Sequence, residues 1–122
     1  MPGKLALSVV AAAVLLHGGA AGQQSATYTF RLVANPSNLG TCKGLDTSMS
    51  REHTLTVTGN QAVIKSNGGI DDNLKPAGPG TWRTDFSLAR VRLVVVADVS
   101  KSPRTLVVTE PREGCRWSGQ AP

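Results

Sequence analysis

The alternation of apolar and polar residues along most of this 122-residue chain restricts its fold more than any other feature. From Thr27 onward the two kinds of side chain alternate within short segments, and almost no segment shows the period of an amphipathic helix. A period of two places neighbouring side chains on opposite faces of a strand, which is typical of half-buried antiparallel sheets. The sequence therefore predicts an all-β protein.

The clearest hairpin spans residues 53–66, where two alternating segments flank the dipeptide Gly59-Asn60. Such a dipeptide favours a tight two-residue turn, and the turn sets which residues face each other. One face of the predicted pair is apolar and the other is rich in threonine. The predicted cross-strand pairs are Val57 with Ala62, Leu55 with Ile64, Thr56 with Val63, and Thr54 with Lys65.

A second hairpin is predicted for residues 81–99, with Ala89-Arg90 as its turn. Neither residue favours a positive φ, so the turn chemistry is poor. The apolar face still matches, because the register pairs Leu88 with Val91, Phe86 with Leu93, and Trp82 with Ala97. A further turn at residues 100–103 returns the chain along residues 104–110, which pairs Ala97 with Leu106 and Val95 with Val108. Val94, Val96 and Val107 then occupy the opposite face, either covered or presented as an apolar patch.

These segments, together with Thr27–Ala34, make six strands, or seven if residues 70–74 form a brief one. A meander of this kind hides its edges by closing into a small barrel or folding into a sandwich. An immunoglobulin-like sandwich is disfavoured, since Cys42 lies in a loop-like segment. The two long loops are predicted at residues 38–51, with one short helical turn near 46–50, and at residues 67–80.

The first 22 residues match a secretory signal peptide. Lys4 precedes an apolar run over Leu5–Leu16, and small residues follow, with cleavage expected after Ala21 or Gly22. The run of 12 residues is too short to span a bilayer, which needs about 20. Residues 23–122 are thus expected to form a single domain that is exported to the periplasm or secreted and does not span a membrane.

Cys42 and Cys115 are the two cysteines of the chain. In an exported protein an even number of cysteines indicates disulfides, and two allow one intramolecular pairing. No metal site is expected, because His53 would be the sole histidine available beside them after cleavage. No cofactor-binding motif is present either, since Gly78-Pro79-Gly80 neither follows a predicted strand nor opens a helix.

The charge is mildly basic. The chain has 13 lysines and arginines and 8 acidic residues, and loss of Lys4 with the signal peptide leaves a net charge of about +4. The excess is spread along the chain without a run of like charges, which favours an ordinary mildly basic surface. The alternative is attraction to an anionic envelope component as partner. Lys65, Arg83 and Arg92 share the outward strand face and form a candidate surface patch. The aromatic residues lie on the other face, which argues against nucleic acid.

Catalysis would have to use His53, which the first hairpin places opposite Ser66 as a formal base and nucleophile. No nucleophile elbow is present and no carboxylate is positioned to orient the histidine. The acidic stretch Asp71-Asp72-Asn73 lacks the alternate-residue spacing of a calcium loop. The sequence therefore favours a protein that is not an enzyme.

The favoured function is a small exported binding module of the cell envelope or secreted fraction. Its ligand would be held in the barrel mouth or by the two long loops. An alternative is an envelope inhibitor or another protein-binding partner. In size, export and β-rich character the chain resembles small periplasmic lysozyme inhibitors, without a shared motif, although its positive charge would repel a basic target. A hydrolase using His53 is a further alternative. We expect a monomer, unless the three outward valines form an association face.

Overall fold

Within residues 24–122, which a computed structural model of the chain describes, nine antiparallel strands form one sheet that curls into a nearly closed barrel. The predicted signal peptide and both predicted cleavage points lie outside the described residues. The strands are β1 (Ser25–Arg31), β2 (Val33–Ala34), β3 (Glu52–Thr58), β4 (Gln61–Lys65), β5 (Asp72–Gly78), β6 (Thr81–Leu88), β7 (Val91–Asp98), β8 (Arg104–Glu110) and β9 (Cys115–Ala121). A 3₁₀ turn at Gly40–Cys42 leads into the helix α1 (Lys43–Met49).

The barrel closes because β1 and β2 follow one another along the chain yet pair with opposite edges of the meander. β1 pairs with β3, and after Leu32 the short β2 pairs with β9. The backbones approach each other closely where Gly119 lies against Arg31, since a Cβ on Gly119 would stand 2.5 Å from the Arg31 carbonyl oxygen. Only a residue without a side chain fits at this seam.

Both predicted hairpins are confirmed in their registers. β3 and β4 pair Leu55 with Ile64 and Val57 with Ala62 around a turn in which Gly59 has a φ of 59°. β6 and β7 pair Trp82 with Ala97, Phe86 with Leu93 and Leu88 with Val91, and β7 and β8 pair Val95 with Val108. The matching of apolar faces therefore overrides the unfavourable residues at the second turn.

The structure has more strands than the six or seven expected. β9 lies beyond the last predicted strand, and β5 extends well beyond the brief piece expected at residues 70–74. β5 is difficult to recognise in the sequence, because the strand contains Pro76 and its pairing with β6 shifts register between Pro76 and Gly78. The predicted helical turn near residues 46–50 is a seven-residue helix that begins at Lys43.

The inward faces of the strands fill the barrel with apolar side chains, so the interior is a packed core. The largest of the fully buried ones are Trp117, Phe30, Leu55, Ile64 and Leu93. On the outer face, Val94, Val96 and Val107 are partly exposed, and their predicted role in association stays a prediction. No helix within residues 24–122 is long and apolar enough to cross a membrane.

The two ends of the barrel differ. We call one the helix end, because α1 covers it with the buried side chains of Leu45 and Met49. The loop 66–71, the turn 89–90 and the turn 111–114 lie at the same end, since antiparallel strands of the meander begin and finish there. At the opposite end, the Arg104 guanidinium lies 5.5 Å from the centroid of the Tyr28 ring, on the inward face of β8 and β1.

Candidate functional site

A cavity of about 540 Å³ opens at the helix end, between the N-terminal part of α1 and the turns 89–90 and 111–114. Its lining includes Cys42, Cys115 and Leu45, which are buried, and Arg90 and Arg112, which are exposed. The cavity is therefore apolar in its depth and carries charge at its rim. Its volume lies within the range of about 300–1,000 Å³ that small-molecule sites occupy.

The predicted disulfide between Cys42 and Cys115 is confirmed, and it forms part of the cavity lining. It joins the chain just before α1 to the first residue of β9, and the two positions are 73 apart in the sequence. Closing a loop of that length removes much of the freedom of the unfolded chain, which stabilises the fold by roughly 2–4 kcal/mol. The bond also holds one wall of the cavity against the other.

Two further contacts fix α1 on the barrel. The Trp117 indole nitrogen Nε1 donates a hydrogen bond of 2.8 Å to Asp46 Oδ1 on the helix. Ahead of the helix, the Asn38 side chain donates to the Arg116 carbonyl at 2.9 Å and accepts from the Arg116 amide at 2.8 Å. The segment that borders the cavity is thus tied to β9 by a covalent bond and by several hydrogen bonds.

The turn between β6 and β7 contributes a strained part of the rim. Ala89 has a φ of 51° and Arg90 a φ of 66°, and within residues 24–122 these are the two positions other than glycine with a positive φ. The left-handed region costs a residue with a Cβ about 1–2 kcal/mol. Asn and Gly are the residues that usually occupy such a turn. Here both positions carry other side chains, and both line the cavity.

The turn between β8 and β9 forms the facing rim and is organised by Glu110. Its carboxylate accepts backbone N–H bonds from Arg112 and Glu113, each of 2.7 Å, and its carbonyl accepts one from Gly114 at 2.9 Å. Both carboxylate oxygens of this buried residue are therefore occupied by the turn itself. The exposed side chains of Arg112 and Glu113 are left free to face solvent or a ligand.

The predicted patch of Lys65, Arg83 and Arg92 is exposed but divided between two acidic partners. Lys65 lies 3.6 Å from Asp71, whereas Arg92 and Arg83 approach the Asp85 carboxylate at 2.9 Å and 3.5 Å. The hydrogen bond from Arg92 and the charges of both arginines lower the pKa of Asp85. Arg92 also lines the cavity, while the other two basic residues lie away from it. The role of the three as a binding patch stays a prediction.

His53 is buried and both of its ring nitrogens are engaged by the backbone. Nδ1 lies 3.2 Å from the Arg51 carbonyl and donates to it, and Nε2 accepts the Ile70 amide at 3.2 Å. Burial lowers the pKa of His53, which favours this neutral form; the bond to the Arg51 carbonyl opposes the effect, and the nearby Arg51 charge adds to it. Ser66 Oγ donates to the Glu52 carbonyl at 2.8 Å, so no bond from Ser66 to His53 forms.

The acidic stretch after β4 does not converge on one point. Asp71 faces Lys65, whereas Asp72 accepts a hydrogen bond of 2.8 Å from Thr84 Oγ1. In the part of the chain from 24 to 122, no three His, Cys, Asp or Glu side chains are gathered as a metal site would need. Of the two loops expected to bind a ligand, residues 38–51 border the cavity and residues 67–80 do not.

Sequence reasoning missed Arg90 and Arg112, which stand on the rim of the cavity. The one available signal was the unusual dipeptide Ala89-Arg90 at a two-residue turn. The arrangement can enclose an apolar group and present guanidinium groups to a polar one. Comparison of the chain with protein-family models, with curated proteins and with solved structures gives no match in any of the three.

Proposed function

We propose that this protein is an exported, non-catalytic binding module of the cell envelope or secreted fraction, and that it holds a small molecule in the cavity at the helix end. The observation that carries the proposal is the cavity itself, which has about 540 Å³ of space between α1 and two turns of the barrel. An apolar cavity bordered by a few polar groups is the usual form of a small-molecule site.

The residues around the cavity support a role in binding, because they hold its walls in place. The Cys42–Cys115 bond and the Asp46–Trp117 hydrogen bond hold its walls, so a ligand would enter a site that is already formed. Preformed walls reduce the ordering cost of binding. The disulfide also agrees with export, because such bonds persist in oxidising compartments.

The state of His53 supports a non-catalytic role. It lies in β3, shortly after the C-terminal end of α1, is bonded to Arg51 and Ile70, and does not line the cavity. A general base needs a free nitrogen within reach of the substrate proton. The cavity lining itself offers no histidine and no free thiol among the described residues.

A thermal-shift screen with lipids, glycans and small metabolites tests the proposal. Binding at a concentration of 100 times the dissociation constant would stabilise the protein by about 2.7 kcal/mol. Gly44→Phe should abolish the shift by filling the cavity, because Gly44 lines it and a Cβ there meets nothing within 4 Å. Gly40→Phe is the matched control, since its Cβ is equally unobstructed but lies outside the lining.

The expected result is a ligand that stabilises the wild type and Gly40→Phe but leaves Gly44→Phe unchanged. If no class of compound stabilises the wild type, the proposal fails. It fails equally if stabilisation survives in Gly44→Phe, because the ligand would then bind elsewhere.

A further inference from the structure

The cavity at the helix end combines an apolar interior with a cationic rim. Leu45, Val91 and the buried disulfide form much of its inner surface, and Pro111 and the stems of the arginines extend that apolar surface outward. Long basic side chains commonly cover apolar surface with their stems while their charged heads stay in water. A ligand that matches both features has an apolar body and a polar head near the opening.

The hydrogen-bonding groups at the rim favour an anionic head. The guanidinium groups of Arg90 and Arg112 take part in no ion pair and no hydrogen bond among residues 24–122, whereas that of Arg92 is already bound to Asp85. On the acidic side, Glu110 uses both carboxylate oxygens within its own turn, which leaves Glu113 as the free acid. Two free guanidinium groups, each with several donors, outweigh one carboxylate, and guanidinium binds carboxylate through paired hydrogen bonds.

The backbone at Arg90 is a second, independent observation. The residue has a φ of 66°, next to Ala89 at 51°, in a turn that glycine or asparagine would occupy without this strain. Strained backbone conformations occur frequently at ligand-binding and active sites. The strain fixes where the Arg90 side chain leaves the turn, at the opening of the cavity.

We propose that the cavity takes a small amphiphile with an apolar chain and a carboxylate head, and that Arg90 and Arg112 bind the head. The inference rests on the proposed function, since it names the ligand class of the same cavity. The chain lies against Leu45 and the disulfide, and the carboxylate accepts hydrogen bonds from the two guanidinium groups at the rim.

Three probes with the same ten-carbon chain test the head group: decanoate, decanol and decylamine, with the two ionic probes kept below their micellar concentrations and decanol below its solubility limit. Isothermal titration with the full mature chain, its disulfide intact, should give decanoate a dissociation constant at least tenfold lower than that of decanol, with decylamine weaker still. Arg90→Gln and Arg112→Gln should each weaken decanoate about fivefold to tenfold and leave decanol unchanged. Lys75→Gln, which removes an exposed charge outside the cavity, should change neither by more than about twofold.

The outcomes separate this inference from the proposed function. If decanol or decylamine binds as tightly as decanoate and Gly44→Phe blocks it, the carboxylate assignment is overturned while the binding function stands. If none of the three binds but a compound of another class does so in the cavity, the inference is again overturned alone. If no compound binds at all, both fall.

A membrane surface is the competing source of anionic groups. Sedimentation with vesicles of anionic phospholipid tests it. If the wild type sediments, Arg90→Gln and Arg112→Gln do not, and free decanoate has no measurable affinity, the two arginines serve a membrane surface and the inference is overturned. Binding of free decanoate with no sedimentation supports it.

Discussion

Glycine in place of Arg90 should stabilise this protein, in contrast to the usual effect of glycine within a β-strand. Arg90 adopts a φ of 66°, and this left-handed conformation costs a residue with a side chain about 1–2 kcal/mol. Glycine removes that cost but brings additional freedom to the unfolded chain, worth about 0.5–1 kcal/mol. The midpoints of these two ranges differ by about 0.75 kcal/mol, which is the expected gain in the free energy of unfolding.

Arg90→Ala is the matched comparison, because alanine removes the guanidinium yet keeps the Cβ and with it the strain. Its unfolding free energy should stay within about 0.5 kcal/mol of the wild type, as is usual for an exposed position. Urea denaturation of both variants with the disulfide intact measures the difference. The glycine variant should also melt higher, by about 2–8 °C for a domain of this size.

Arg92→Gly provides the opposite control, since Arg92 lies in β7 without a positive φ and glycine in a strand destabilises by about 0.5–1 kcal/mol. An Arg90→Gly variant that is no more stable than Arg90→Ala would refute the claim that the turn is strained. If the claim holds, Arg90→Gly should be more stable than the wild type and yet bind decanoate more weakly.

Three further changes test other parts of the structure. Gly119→Ala should destabilise by about 1–3 kcal/mol in urea denaturation, because its Cβ would stand 2.5 Å from the Arg31 carbonyl oxygen at the barrel seam. Asp46→Ala should cost about 1–3 kcal/mol in the same assay, since it leaves the buried Trp117 indole N–H without its acceptor. The unfolding free energy should be constant above pH 6.5 and should decrease as the pH is lowered further, by up to about 1.4 kcal/mol per pH unit. The reason is that folding lowers the pKa of His53 from 6.5, so below that pH the unfolded chain binds a proton that the folded protein does not.

Each of these has a control in the chain. Gly44→Ala should be neutral or stabilising, as its Cβ meets nothing within 4 Å and the residue lies in a helix; equal losses at Gly44 and Gly119 would contradict the seam argument. Asp46→Asn keeps an acceptor oxygen and should retain most of the stability. His53→Gln should flatten the pH profile between about 6.5 and 4.5, above the range in which Asp85, whose pKa is lowered, titrates. A profile that stays steep would assign the loss to other groups.

The hairpins could be predicted from sequence because both partners of each pair are close along the chain. The dipeptide Gly59-Asn60 and the matching apolar faces around Ala89-Arg90 leave one register in which the inward side chains meet. β5 could not be found in this way. Its residues around Pro76 do not alternate, and it becomes a strand because β4 and β6 pair with it on either side.

The cavity is formed by segments that are distant in the sequence. Its lining comes from α1, the turn 89–90 and the turn 111–114, and sequence analysis brought together just one pair of those residues, Cys42 and Cys115. Knowing that pair does not reveal which turns stand beside it. Their positions follow from the order of strands around the barrel, which depends on the closing contact between β2 and β9.

The backbone is unusual at Gly119 and at the turn Ala89-Arg90. The residues found at these two places distinguish what the fold requires from what the site requires. At Gly119 a close contact between strands is met by the one residue that fits it, so the sequence and the fold agree. At Ala89 and Arg90 the fold requires positive φ, and the chain has side chains where glycine would relieve the strain, whereas the one positive φ of the 59–60 turn falls on a glycine, Gly59. Glycine or asparagine at position 90 would meet the demand of the fold alone. The turn that lacks glycine is the one at the rim of the cavity, where the Arg90 guanidinium can bind a ligand but does nothing for the turn. We therefore attribute the strain at this turn to ligand recognition.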